Sequence, residues 1–159
     1  MRIMIKLFIV FFISNLTYAN SADSCIPATI KIEGKNIILS GTKDPKQPQI
    51  YFFKNKSIYS VWVDRVMQDP GASAGWASYF RAGNWSALLL NKNNFTLTCF
   101  TVKPGTVVPL DCNQVISICK PKIISIPTTL KGSGWLVEDK SWDIVMNVIE
   151  KKGVKFQKN

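Results

Sequence analysis

The chain has 159 residues, sets 20 Lys and Arg against 10 Asp and Glu for a formal net charge of +10, and contains no histidine. The missing imidazole excludes Ser-His-Asp and Cys-His catalysis, histidine zinc sites and a histidine general base. Only Arg2, Arg65 and Arg81 carry guanidinium groups, so the bidentate forks that read phosphate or guanine are scarce and nucleic acid is not an expected partner.

Arg2 and Lys6 precede an unbroken apolar run over residues 7–13, and Leu16-Thr17-Tyr18-Ala19 ends on a small residue. These are the regions of a secretory signal peptide, with cleavage expected after Ala19. The apolar run is much shorter than the ~20 residues that span a bilayer, so no membrane insertion is expected once it is removed. Residues 1–19 hold two basic and no acidic side chains, which leaves a single β domain over residues 20–159 with a net charge of +8. Its thinly spread Lys residues suit a solvated surface with weak attraction to anionic lipid or polysaccharide. The expected location is periplasmic or secreted.

Strands are expected over residues 28–33 and 36–40, meeting at Gly34-Lys35, followed by a polar loop over residues 42–48. Residues 49–54 (QIYFFK) and 57–64 (SIYSVWVD) read as a hairpin across Asn55-Lys56. Its buried face falls either to Ile58, Val61 and Val63 or to the interleaved Tyr59 and Trp62. Residues 69–84 break the pattern with three glycines and a proline, and read as a long ordered loop or short helical turn carrying Trp76, Tyr79 and Phe80.

Residues 84–119 read as three or four consecutive antiparallel strands with turns at 91–94 and 103–106. A further strand is expected over 121–127, a turn over 131–134 and an apolar segment over 135–137. Ser141 is a suitable N-cap for a helix whose Trp142, Val145, Met146 and Ile149 follow the spacing of one face. Gly153 closes that helix, and residues 154–156 supply a last edge strand. Many short strands and one C-terminal helix predict an antiparallel β-sandwich, immunoglobulin-like in the broad sense, with a closed barrel as the alternative.

Four cysteines in an exported chain point to two disulfides with three pairings open. Cys99 and Cys112 flank the Pro104-Gly105 turn. If Lys103 lies opposite Val108 they face each other directly, and that bridge is worth ~3 kcal/mol on the loop-entropy model. This favours Cys25 with Cys119 as the second pair; the rival pairing joins Cys112 to Cys119. The spacings are not those of zinc knuckles, and neither a metal nor a cofactor is expected.

The groups left for catalysis are the carboxylate pairs Asp64 with Asp69 and Glu138 with Asp139, which a glycoside hydrolase would need to face across a cleft. Neighbouring acids beside turns are ordinarily solvated or capping charges, so no catalytic residue is assigned and the chain is read as non-enzymatic. No phosphate-binding glycine loop is present, since Gly71, Gly75 and Gly83 lack the required spacing. Asn55-Lys56-Ser57, Asn84-Trp85-Ser86 and Asn94-Phe95-Thr96 match the N-glycosylation pattern, but the Lys- and Asn-rich composition looks bacterial. Trp76, Tyr79, Phe80 and Arg81 form the candidate contact surface, with the loop tip at residues 72–79 as its centre and Trp85 assigned to the core.

The block GWASYFRAGNWSALLL, the segment NFTLTC, the Pro-Gly turn, DCNQVISICK and the Ile-Pro strand together resemble a family of small exported gammaproteobacterial proteins, some called enhanced entry protein B. The resemblance spans residues 49–156 and is anchored on Trp85, Cys99, Cys112 and Cys119. It implies a role in contact with a host cell and supplies no reaction or ligand. The expected function is therefore an envelope or secreted module that binds an envelope or host protein. The alternative is a glycan-binding or carboxylate-dependent glycan-acting protein.

Overall fold

The computed structural model describes residues 25–41, 47–65, 77–91 and 95–157. The expected signal peptide, Trp76, Asp69 and the loop tip up to residue 76 lie outside them. In chain order the strands are β1 (Cys25–Pro27), β2 (Ile30–Glu33), β3 (Asn36–Leu39), β4 (Gln49–Asn55), β5 (Val61–Arg65), β6 (Ala77–Phe80) and β7 (Trp85–Leu90). There follow β8 (Phe95–Lys103), β9 (Thr106–Leu110), the single-turn helix α1 (Cys112–Val115), β10 (Ile116–Pro121), β11 (Ile123–Ser125), β12 (Gly134–Asp139), α2 (Trp142–Lys151) and β13 (Lys155–Phe156).

Two antiparallel sheets form a sandwich, with a helix appended at the C-terminus. The first has the order β1-β10-β4-β7-β12, and the second β2-β3-β8-β5-β6. Strand β9 extends the line of β3 along one edge of β8, because Leu97 sits between Ile37 and Arg65 while Cys99 sits between Leu110 and Val63. Every consecutive hairpin among the described strands of the two sheets, β2-β3, β5-β6 and β8-β9, belongs to the second sheet. The strands of the first sheet come singly, as the chain crosses the sandwich between hairpins.

The apolar pattern explains which sheet each strand joins. Strands β4 (QIYFFKN) and β7 (WSALLL) are nearly continuous apolar runs and are buried along almost their whole length, the signature of a sheet covered on both faces. One face contributes Tyr51, Phe53, Leu88 and Leu90 to the core between the sheets, where they meet Ile37, Leu39, Val61, Val63, Phe80, Phe95 and Leu97. The opposite face contributes Ile50, Phe52, Ala87 and Leu89 to a second core against Trp142, Val145 and Ile149 of α2 and Val154 beyond it. Ser141 Oγ caps α2 by accepting from the Ile144 N–H at 3.4 Å. Phe52 and Trp142 pack with ring centroids 4.9 Å apart. After the helix, Gly153 turns the chain with φ 91°, so that β13 pairs with β11 beside α2. We call these the covered sheet and, because β8 alternates buried with less buried positions, the open sheet.

Each core holds one disulfide. Cys99 and Cys112 bridge within the core between the sheets, and Cys25 and Cys119 bridge on the helix side. The hairpin register differs from the one the spacing suggested. Lys103 pairs with Thr106 and Cys99 with Leu110, because Pro104 and Gly105, the latter at φ 77°, make a two-residue turn of the type II kind. Cys112 is reached two residues further on, where Asp111 accepts from the Asn113 N–H at 3.0 Å and starts α1. That turn of helix was not visible in the sequence pattern.

The expected hairpin across Asn55-Lys56 does not form. Both edges of β4 are taken, by β10 and β7, and β5 lies in the other sheet. The crossover is held by Asn55, which is wholly buried. Its Nδ2 lies 3.0–3.1 Å from the carbonyl oxygens of Tyr59, Phe80 and Arg81, and its Oδ1 accepts from the Ser57 N–H and hydroxyl at 2.9 and 2.6 Å. Residues 84–119 are likewise not a run of consecutive pairs: β7 and β10 join the covered sheet, and only β8-β9 is a hairpin. The expected loop over 69–84 ends in strand β6 from residue 77, and the expected strand over 121–127 is divided between β10 and β11.

Candidate binding surface on the open sheet

The side chains of the open sheet that do not enter the core form a cross-strand row. Tyr79 on β6 pairs with Trp62 on β5, Trp62 with Phe100 on β8, and Phe100 with Pro109 on β9. Val61 and Val63, on either side of Trp62, are buried, and the period of two along a strand turns Trp62 to the opposite face. The same alternation sets Phe100 one residue beyond the buried Cys99.

Ring centroids of Trp62 and Tyr79 lie 5.0 Å apart, and those of Trp62 and Phe100 6.3 Å apart with planes only 6° from parallel. The next pair along the hairpin, Val102 and Val107, is 57% and 61% exposed. At one end Tyr59, Ser60, Trp62, Tyr79, Thr101 and Val102 line a shallow groove of about 390 Å³. None of these six side chains is charged. Ile58, in the crossover that precedes β5, is 94% exposed. A contiguous apolar and aromatic area of this kind is a recognised mark of a contact surface.

The candidate residues chosen from the sequence separate on this frame. Tyr79 belongs to the row and is 44% exposed. Phe80 does not: as the next residue of β6 it faces inward, is wholly buried, and packs edge-on against Phe53 at 6.3 Å and at a tilt against Trp135 at 5.2 Å. Arg81 is exposed, and its backbone N–H donates to Glu138 Oε1 at 3.0 Å. Trp85 lies on the helix side of the covered sheet, 4.7 Å from the Trp142 ring. Trp62 and Phe100 were missed as surface residues, although their positions between Val61 and Val63 and after Cys99 carried the signal.

The carboxylates near turns have structural partners. Glu138 Oε1 also accepts from Asn84 Nδ2 at 2.7 Å, and Asp139 Oδ1 accepts from the Ser141 N–H at 2.8 Å. The side chain of Asp64 and all of Asp69 lie outside the described residues. Lys54 donates to the Gly83 carbonyl at 2.5 Å and lies 5.0 Å from the Trp85 ring. Burial, and then the nearby Lys140 ammonium, hold its pKa below the usual lysine value. Of the three glycosylation patterns, Asn55 and Asn84 are buried, and Asn94 is outside the described residues.

Among the described residues no group of three metal-ligating side chains occurs, and no helix is long and apolar enough to cross a membrane. Both disulfides belong to an oxidising, non-cytoplasmic environment. Compared with protein-family models, with curated proteins and with solved structures, the chain finds no match.

Proposed function

We propose that this protein is an exported, non-enzymatic binding module that holds an envelope or host-cell protein against the outer face of its open sheet. The observation that carries the reading is the row formed by exposed Tyr79 and half-buried Trp62 and Phe100, mounted on a sheet whose other face is locked into the core. Large aromatic side chains on a rigid frame lose little conformational entropy on binding and dominate interface energetics. The apolar area runs on past the rings to Pro109, Val102 and Val107, which favours a protein surface over a ligand that only stacks. Export follows from the signal-like N-terminus together with the two disulfides, and the net charge of +8 adds a weak, unspecific pull toward anionic surfaces.

The test is site-specific photocrosslinking in cells with the crosslinker at position 62, 79 or 102, and at position 150 on the solvent side of α2 as control. A single protein adduct from the first three positions and none from the fourth supports the reading. Equal labelling from all four, or none, removes the open sheet from the function. One observation favours a second reading, a glycan-binding module: the near-parallel Trp62 and Phe100 rings with Ser60, Thr101 and tyrosine hydroxyls beside them suit stacking against an uncharged sugar. A glycan array with wild type and Trp62→Ala separates the two.

A further inference from the structure

A second site, beside the β1 edge of the covered sheet, centres on Lys120. This residue lies on β10 directly opposite Ile26 of β1, one position from the Cys25–Cys119 bridge that ties those strands together. Its Nζ donates to Gln49 Oε1 and sits 4.6 Å above the Tyr51 ring. The Tyr51 hydroxyl donates to the Ser40 carbonyl and lies 3.1 Å from the same Gln49 oxygen. Among the described residues no carboxylate pairs with Lys120. The one salt bridge among them joins Lys31 to Glu33, both well exposed.

Two grooves meet at this ammonium. One, of about 500 Å³, runs past Ile26, Pro27, Ala28 and Tyr51. The other, of about 460 Å³, runs past Pro48, Ile50, Ile123, Ile124 and Ile126. Both volumes fall in the range of small-molecule sites, in which an apolar lining carries a few placed polar groups. Burial lowers the Lys120 pKa from the usual lysine value, the mark of a charge short of solvent.

We infer that this site binds an alkyl carboxylate, its headgroup on Lys120 and its chain along the Ile123, Ile124 and Ile126 wall of the second groove. The chemistry selects this ligand class. A single ammonium, with no guanidinium among the described residues of the lining, matches a monoanion better than a phosphate. Beyond it Ile26, Pro27 and Ala28 in one groove and Ile123, Ile124 and Ile126 in the other offer aliphatic surface to a chain, with Thr29, Gln47 and Ser125 as polar members of the lining. A peptide terminus is disfavoured because β1 has three residues and ends in Pro27, which has no N–H to extend the sheet to an added strand. The inference is independent of the aromatic face.

The experiment is calorimetric titration of the disulfide-bonded protein with decanoate below its micelle concentration, and with decanol. The expected result is one-site binding of decanoate that Lys120→Met weakens at least tenfold while decanol binding changes less than twofold. Ile124→Ser, at an exposed position of the second groove, is expected to weaken both ligands, and unchanged near-ultraviolet dichroism confirms folding of each variant. Equal decanoate affinity in Lys120→Met overturns the inference. So does the absence of binding in wild type.

Discussion

The two sheets of this sandwich were given opposite tasks by their side-chain patterns. The covered sheet is assembled from single strands, and its central pair β4 and β7 is apolar on both faces and sealed between two cores. The open sheet is assembled from hairpins, apolar and alternating, and leaves one face in solvent. An apolar residue has therefore a different meaning in each: Phe52 is a structural member between β4 and α2, whereas Phe100 and Trp62 are not needed to close any core. Apolar character that stability does not require is where recognition is to be sought.

The sharpest way to break the comparison is to remove one disulfide from each core. On the loop-entropy model, replacing Cys25 and Cys119 by Ser, which opens a separation of 94 residues, costs about 4–5 kcal/mol. The same change at Cys99 and Cys112, separated by 13 residues, costs about 3 kcal/mol. Urea unfolding of both double variants measures the order; a larger loss at the open sheet would reverse the assignment of structural weight. Next, Phe52→Ala is expected to lose about 3–5 kcal/mol through cavity formation against Trp142, and Trp62→Ala only about 1–1.5 kcal/mol through its ring contacts with Tyr79 and Phe100. Similar losses at the two positions would show that the open face is structural after all. If the proposed partner is found, Trp62→Ala should weaken its capture at least tenfold, and Phe52→Ala should act only through folding.

A pH series sharpens the comparison at Tyr51, buried in the core between the sheets. Burial pushes the Tyr51 hydroxyl from 10.0 up to about 12. A raised tyrosine pKa means that the folded protein keeps a proton which the unfolded chain releases. The contribution is complete below pH 10 and is lost as pH rises toward 12, on the order of 2 kcal/mol. Lys54 and Lys120, whose values are lowered, act in the opposite sense, and their effect ends once the unfolded lysines have titrated near pH 10.5. Absorbance titration of the phenolates should therefore show one tyrosine ionising about two units late, and Tyr51→Phe should remove it. The smallest effect concerns the helix exit. Gly153 has φ 91° and a Cβ there would stand 3.2 Å from Pro127 Cγ, so Gly153→Ala is expected to cost about 1 kcal/mol in thermal unfolding. An unchanged melting temperature would mean that the β11-β13 layer yields easily.

Much of this architecture was readable before the fold was known. The sandwich class, the β2-β3 hairpin and the capped helix after Ser141 all rest on local patterns: alternation, a turn glycine, an N-cap and a 3.6-residue stripe. What failed was partnership. Asn55-Lys56 looks like a turn between two apolar runs, and it is one, yet the runs part into different sheets because buried Asn55 binds three carbonyls that lie more than three residues away in sequence or come from β6 and its exit. No local rule reports that a strand already has neighbours on both edges. The contact surface suffered from a related error. Aromatics were gathered by closeness in sequence, which joined Tyr79 to Phe80, whereas a sheet gathers them by register, which joins Tyr79 to Trp62 and Phe100. The continuous runs of β4 and β7 against the alternation of β8 held the missing information about which sheet is sealed.

Burial of Asn55 and Asn84 also constrains how this protein can be made. Each begins an acceptor tripeptide that eukaryotic secretory machinery modifies while the chain is still emerging. A sugar added there at that stage would occupy the crossover between the sheets and the turn held by Glu138, positions with no room for a branch. Production in a host that decorates asparagine should therefore yield misassembled, retained material, and Asn55→Gln would not rescue it, since the longer side chain displaces the same carbonyl contacts. A bacterial host with an oxidising export route avoids the conflict altogether.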